Sequence, residues 1–60
     1  MRDAILEELL ARRGMVTRIA TGLGISPAAV SQWQRVPPER VAELARLLDL
    51  PPHQLRPDLH

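Results

Sequence analysis

Residues 16–35 read VTRIATGLGISPAAVSQWQR, and this stretch decides the fold. Ala20 is small at the position where two crossing helices would approach most closely, and Gly24 follows four residues later, where a tight turn requires a positive φ. Ser26 can cap free backbone N–H groups, and Pro27 suits the first position of a helix. The spacing therefore predicts two short helices joined by a tight turn, with the second beginning at Pro27.

The apolar residues of this stretch are expected to join the two helices into one block. They are Ile19, Leu23, Ile25, Val30 and Trp33. Two nearly perpendicular helices joined by a short turn that contains glycine form a helix-turn-helix, and its second helix enters the major groove of DNA. Residues 16–35 therefore predict a helix-turn-helix unit, and DNA binding is the leading hypothesis.

The composition restricts the class of protein. A chain of 60 residues is expected to form one domain, residues 1–60, and the absence of Phe and Tyr beside abundant Ala, Leu, Arg and Glu favours helix over strand. There is no cysteine for a disulfide or a thiolate metal site. The longest apolar run falls far short of the roughly 20 residues that cross a bilayer. We therefore expect an all-α, cytoplasmic protein that needs no cofactor.

A first helix is predicted before this unit. Asp3 can cap this helix, and the apolar stripe of the helix runs towards residue 13. Gly14 is expected to end the helix. The stripe consists of Ile5, Leu6, Leu9 and Leu10. The second helix is predicted at about residues 16–23 and has Gly22 in its interior, which costs about 1 kcal/mol relative to alanine. This helix is expected to depend on packing against its neighbours.

The third helix is predicted to run from Pro27 to Gln34 or Arg35, before two prolines break the chain. A fourth helix is expected from Pro38 to about Leu48. Its inward residues would be Val41, Leu44, Ala45 and Leu48, and its solvent-facing residues would be Glu39, Glu43 and Arg46. Residues 53–56 are predicted to add one short turn of helix before a mobile tail at residues 57–60.

One side of the third helix is predicted to meet DNA bases. At 100° per residue, Ala28, Ser31, Gln32 and Arg35 lie opposite the apolar residues of the same helix. Gln32 can pair with adenine through two hydrogen bonds, and Arg35 can bind guanine or a phosphate. The predicted base-reading residues are Pro27, Ala28, Ser31, Gln32 and Arg35. Without the turn before it, the same face would be interpreted as an ordinary solvated helix surface.

Phosphate contacts are expected from residues that flank the third helix, because such contacts position a protein on the duplex. The candidates are Thr17, Arg18, Ser26, Gln34 and Arg40. Ser26 is equally well explained as a helix cap alone. Arg12 and Arg13 are left out, since both could pair with Glu7 and Glu8 on a solvated surface. The formal net charge is only +1, so the DNA hypothesis depends on where the arginines lie.

Two blocks of the sequence resemble a known family. AAVSQWQRVPPER at residues 28–40 and HQLRPDL at residues 53–59 are similar to the recurring blocks of the YdaS-like antitoxins, a branch of the Cro and repressor DNA-binding domains of temperate phages. The resemblance covers most of the chain from about residue 16. It implies a compact lambda-repressor-like bundle of four to five short helices, and repression of transcription in the bacterial cytoplasm or nucleoid by a dimer on a palindromic operator.

The resemblance breaks at Val16. Many phage repressors have glutamine at this position, where it helps to fix the recognition helix on the DNA backbone. Thr17 or Arg18 would have to replace that contact.

A weak homodimer is also expected on physical grounds. A single small module buries about 600–1,000 Å² on DNA, whereas a genome offers about 10⁶ or more competing sites. Two copies on half-sites about 34 Å apart would double the readout. The candidate dimer residues are Leu47, Leu50, Leu55 and Leu59, which could equally well fill the lower core.

Two other classes of function were weighed against DNA binding. An enzyme is disfavoured because His53 and His60 are the only histidines, no metal-ligand pattern surrounds them, and Gly22-Leu23-Gly24 lacks the third glycine of a nucleotide-binding loop. The alternative is an antitoxin-like module that binds a cognate toxin and regulates its own gene through DNA binding. Only about ten residues follow the fourth helix, which disfavours a large toxin-neutralising arm.

Overall fold

A computed structural model describes residues 2–59, which form five α-helices and one 3₁₀ turn without any strand. In chain order they are α1 (Ala4–Ala11), α2 (Met15–Leu23), α3 (Pro27–Ser31), the 3₁₀ turn (Pro38–Arg40), α4 (Val41–Leu48) and α5 (Pro52–Leu55). The predicted all-α bundle is confirmed. His60, whose imidazole the sequence analysis weighed as a possible enzyme group, lies outside the described residues.

The core contains at least one residue from every α-helix. Its buried residues are Leu6, Leu9, Ile19, Ala20, Leu23, Val30, Val36, Val41, Leu44, Ala45 and Leu55. Ile25 and Trp33, predicted to lie in the core, are partly buried at its edge. Leu55 was offered as a dimer residue, and this prediction is wrong. Its side chain is completely buried, so it stabilises the bundle and has no surface for a partner.

The first helix begins as predicted and ends early. The Asp3 side chain accepts a hydrogen bond from the N–H of Ile5 (3.0 Å), which caps the first turn. The helix stops at Ala11 because Arg12 turns into an extended conformation. Gly14 therefore does not end α1. It adopts a left-handed φ of 77° directly before α2 and lets the chain reverse.

The turn between α2 and α3 is built as predicted. Gly24 has a left-handed φ of 70°, and its N–H donates to the carbonyl oxygens of Ala20 and Thr21. The N–H of Ile25 also donates to Ala20 (3.0 Å), which completes a Schellman motif. The Ser26 hydroxyl then accepts a hydrogen bond from the N–H of Ala29 (3.2 Å) and caps α3. Local hydrogen bonds thus define both sides of the turn.

Gly22 occupies a point of close approach between α2 and α4. A Cβ atom at this position would lie 2.6 Å from Cδ2 of Leu47. Any larger residue would therefore force the Leu47 side chain to move. The glycine weakens α2 as an isolated helix but lets Leu47 fold over it.

The third helix is shorter than predicted, ending at Ser31 rather than at Gln34 or Arg35. Groups from the start of the chain bind the carbonyl oxygens of residues 31, 33 and 34, of which that of Ser31 would accept from Arg35 in a longer helix. Arg2 donates to Ser31 (2.6 Å) and to Trp33 (3.1 Å), and the N–H of Asp3 donates to Gln34 (2.6 Å). Two prolines follow, and residues before proline avoid the helical conformation.

The fourth helix is preceded by the 3₁₀ turn Pro38–Arg40, where an α-helical start was predicted. Val41, Leu44 and Ala45 are buried as predicted, whereas Leu48 is only partly buried. The helix ends at Leu48, and Asp49 at its C-cap adopts a left-handed φ of 55° although it has a side chain. The N–H of Leu50 donates to Ala45 (2.9 Å) across this turn, as in the turn at Gly24.

Residues 57–59 form a turn within the segment 57–60 that is predicted to be a mobile tail, of which His60 lies outside the described residues. Arg56 is only 6 % exposed, and its guanidinium donates to the Val36 carbonyl oxygen (2.8 Å) and to both carboxylate oxygens of Asp58 (2.9 and 2.7 Å). A buried charge requires such pairing. These hydrogen bonds also hold the pKa of Asp58 at about 2, below its ordinary value.

Substitutions at the two left-handed helix ends should change stability in opposite directions. Gly24→Ala should destabilise the fold by about 1–2 kcal/mol, because a left-handed Cβ crowds the next carbonyl oxygen. Asp49→Gly relieves the same strain and should stabilise by about 0.5–1 kcal/mol, since the extra freedom of unfolded glycine offsets part of the gain. Urea unfolding followed by circular dichroism measures both. Unchanged stability in Gly24→Ala would contradict the described turn.

The Asp58 pKa predicts an acid-sensitive fold. Because the pKa is lowered in the folded state, the ionised carboxylate stabilises above the unfolded pKa of about 3.9. This contribution should be lost as the pH falls from about 5 towards 2. Asp58→Asn should be less stable than the parent protein at neutral pH and should lose less stability over that interval. Urea titrations at several pH values measure the difference.

Asp49→Asn provides the matched control for this pH experiment. It removes the same charge from a carboxylate that forms no ion pair within residues 2–59. The control should keep the acid sensitivity of the parent protein. Equal acid sensitivity in Asp58→Asn and Asp49→Asn would argue against a stabilising role for the Arg56–Asp58 pair.

Candidate nucleic-acid interface

The exposed side of α3 consists of short, uncharged side chains. Pro27, Ala28 and Ser31 are exposed, whereas Val30 on the opposite side is completely buried. Within residues 2–59, the hydroxyl of Ser31 and the amide of Gln32 form no hydrogen bond. The short side chains allow the helix to come close to another molecule, and the free polar groups can bind it.

Gln32 lies immediately after α3. Its backbone stays in the right-handed helical region (φ −87°, ψ −6°), so it continues the last turn of the helix. The residue is exposed, and it follows Ser31 directly. Its amide carries one acceptor and two donors, which is the set that pairs with the major-groove edge of adenine.

Arg35 does not lie on α3, so its assignment to the helix face was wrong. It follows the end of the helix by four residues and remains exposed. Its Nη1 atom lies 3.8 Å from Oδ2 of Asp58. Arg35 also lines an open cavity of about 460 Å³ beside the start of the chain, together with Arg2, Asp3, Ala4 and Gln34.

Thr17 and Arg18 occupy different sides of α2. Arg18 faces α4, because its Nη2 atom donates to the Leu47 carbonyl oxygen (3.4 Å) and Gly22 contacts the same residue. Thr17 and Thr21 are one helical turn apart on another, exposed side. Val16, at the position of the missing glutamine, packs against the core. Of the two predicted substitutes for that glutamine, only Thr17 is free of α4.

The remaining residues that are predicted to contact DNA phosphates either form a bond within the protein or are exposed. The Ser26 hydroxyl caps α3, and Arg40 pairs with Glu43 at 3.4 Å. Gln34 is exposed, and its backbone carbonyl accepts the hydrogen bond from Asp3. These three residues therefore lie at the start of α3, in the loop after it and in the 3₁₀ turn, and only Arg40 is charged.

Basic and acidic residues occupy different segments of the chain, a feature that was not predicted from the sequence. Residues 9–38, which include α2 and α3, contain four arginines and no acidic residue. All seven acidic residues lie before or after that stretch. The helix-turn-helix segment is therefore basic although the whole chain is nearly neutral, and a basic segment attracts nucleic acid. Counting charges in sections of the sequence would have revealed it.

The positions of Arg2 at the end of α3 and of Thr21 on the exposed side of α2 were also not predicted from the sequence. Arg2 is brought to the end of α3 by contacts between residues about thirty positions apart. Thr21 is recognisable only once the exposed side of α2 is known. Sequence patterns offered no direct signal for either residue.

Residues 2–59 contain neither a metal-binding cluster nor a membrane-spanning helix. No group of histidine or acidic side chains there could hold a metal ion. No helix in that part of the chain is long and apolar enough to cross a membrane.

A comparison with protein families agrees with this geometry. The family model described as DNA-binding transcriptional regulator Cro matches residues 6–49, nearly three quarters of the chain. The match spans α2, α3 and α4 together with most of α1. No curated protein and no solved structure matches the chain significantly. The predicted Cro-type helix-turn-helix assignment is confirmed, and the chain belongs to the Cro family of DNA-binding transcriptional regulators.

Proposed function

We propose that this regulator is a repressor that binds a two-fold symmetric operator as a dimer and reads bases with α3. The observation that carries the proposal is the exposed, uncharged side of α3, beside which the amide of Gln32 has no hydrogen-bond partner within residues 2–59. Occupancy of an operator that overlaps a promoter excludes RNA polymerase without any further contact. Repression is therefore the simplest outcome of such binding.

The base contacts follow from the chemistry of each side chain. Gln32 binds adenine through two hydrogen bonds, and Ser31 donates to or accepts from a neighbouring base. The methyl group of Ala28 packs against a thymine methyl, and Pro27 allows the first turn of the helix to approach closely. Arg35 contacts guanine or a phosphate from the loop that follows the helix.

The backbone contacts are assigned to residues around α3. Thr17 replaces the glutamine that is absent at Val16, a choice favoured because Arg18 is bound to α4. Gln34 and Arg40 contact phosphates from the loop after α3, and Ser26 contributes from the helix start. Arg40 would first have to exchange its exposed ion pair with Glu43, which costs little because such pairs are weak in water.

The dimer is proposed to form mainly on DNA. The molecule measures 26 × 24 × 18 Å along its principal axes, so two copies on half-sites about 34 Å apart would meet only at their edges. The proposed contacts are Leu47, Leu50 and Leu59. Leu59 is 49 % exposed, whereas Leu47 and Leu50 are partly buried. A small edge contact predicts weak pairing in free solution.

Selection from a random duplex library tests the base-reading assignment. We expect enrichment of a short two-fold symmetric site, and Gln32→Ala should lose about 1–3 kcal/mol of preference at one base position in each half-site. Gln54→Ala, which removes an exposed amide from α5, is the matched control and should keep the parental preference. No enriched sequence would contradict the proposed function. Equal weakening of Gln32→Ala on every duplex would make Gln32 a backbone contact.

Mass measured in solution tests the dimer. The free protein should be mainly monomeric at micromolar concentration, and two copies should bind the selected duplex cooperatively. Leu59→Ser should reduce this cooperativity if the chain end forms the contact, whereas Leu47→Ser should reduce it if α4 does. One copy per duplex at saturation would contradict the dimer and leave the base-reading assignment intact.

A further inference from the structure

The segment after α3 is held by both ends of the chain. Arg2 and Asp3 bind the backbone carbonyls of residues 31, 33 and 34 from one side. Arg56 binds the carbonyl of Val36 from the other side. The segment carries Gln32 and Arg35, although it has no helical hydrogen bonds to fix it over most of its length. Its conformation therefore depends on residues that lie far away in sequence.

Arg56 holds the segment after α3 to the C-terminal part of the chain through several hydrogen bonds. All three guanidinium nitrogens donate, two of them to the carboxylate of Asp58 and one to Val36. This forked geometry aligns two parallel hydrogen bonds with one carboxylate, which a lysine could not reproduce. The carboxylate of Asp58 is thus held in one place next to the loop.

Asp58 also faces Arg35. Its Oδ2 atom accepts from Arg56 at 2.7 Å and lies 3.8 Å from Nη1 of Arg35. The Arg35 side chain is 59 % exposed and that of Asp58 is 49 % exposed, so DNA could reach both. A carboxylate at this distance attracts Arg35 and repels a phosphate. It therefore competes with the DNA backbone for the same guanidinium.

We propose that Asp58 is a specificity-determining residue, which Arg56 fixes in place and which acts on DNA binding by orienting Arg35. The inference rests on the proposed function in one respect, the contact between Arg35 and DNA. On a non-cognate duplex, Asp58 retains Arg35 and opposes the phosphates, so binding is weak. On the operator, the contacts of α3 bring Arg35 to a defined partner and compensate for the lost ion pair.

Asp58→Asn tests this inference, because it removes the charge and keeps one oxygen that can accept from Arg56. Binding to the selected duplex and to a scrambled duplex is measured by fluorescence anisotropy at several salt concentrations. The variant should bind the scrambled duplex about three- to tenfold more tightly, with a salt dependence steeper by about one phosphate contact. Binding to the selected duplex should change less, so the specificity ratio should fall.

Two controls separate this effect from net charge. Asp49→Asn changes the charge equally at a site without an ion pair in the described structure, and it should alter the ratio less. In an Arg35→Ala background, Asp58→Asn should have no further effect on the ratio, because coupled residues are not additive. An effect equal to that of Asp49→Asn, or one that persists without Arg35, would overturn the inference.

Two further results distinguish a failure of this inference from misfolding of the variant and from failure of the proposed function. Thermal unfolding shows whether Asp58→Asn folds, and if it does not, Asp58→Glu moves the carboxylate by one methylene and should lower the ratio in the same direction. An unchanged ratio in a folded Asp58→Glu variant would then count against the inference. Failure of the parent protein to select any sequence would reject the proposed function instead, while scrambled-duplex binding would still test Asp58.

Discussion

The left-handed turn at Gly24 is the constraint on which the rest of the structure depends. The N–H groups of Gly24 and Ile25 satisfy the last carbonyls of α2, and the Ser26 hydroxyl begins α3 two residues later. The third helix has only five residues, far fewer than an isolated helix needs in water. It exists because the turn places it against α2, where Ala20 is buried and leaves room for close packing.

The far end of α3 is stabilised by charged groups rather than by more helix. Arg2 binds the carbonyls of Ser31 and Trp33 at the end of α3, and Arg56 binds the carbonyl of the buried Val36. Arg56 is thus a charged residue buried beside the apolar core of a small domain. Burying Arg56 is tolerable because Asp58 neutralises it and each nitrogen has an acceptor.

The same arrangement explains how a nearly neutral chain can bind DNA. The exposed side of α3 has no charge, while residues 9–38 contain four arginines and the acidic residues lie in other parts of the sequence. In the proposed interface, attraction to phosphate and recognition of bases therefore involve largely different residues. Arg35 would take part in both, and its exposed pairing with Asp58 would link DNA binding to residue 58.

The sequence alone was sufficient wherever a structural feature depends on neighbours a few residues apart. The Asp3 cap, the turn at Gly24, the start of α3 at Pro27 and the buried side of α4 were all predictable, because local hydrogen bonds and helical periodicity decide them. Four of the five predicted base-reading residues are exposed at or beside α3, namely Pro27, Ala28, Ser31 and Gln32. Their periodicity was sufficient because α3 extends just far enough to include them.

Only the tertiary structure decided where α3 ends, which side of α2 Arg18 occupies, and that Leu55 and Arg56 are buried. The helical-wheel placement of Arg35 failed because α3 ends at Ser31, whose carbonyl is bound by Arg2 from roughly thirty residues away rather than by the N–H of Arg35. Arg56 was predicted only as the last residue of a short helical turn, and its burial was not foreseen because its partner Val36 lies twenty residues earlier. Local patterns carry no information about such distant pairs, since the energy that selects them arises only when the chain is folded.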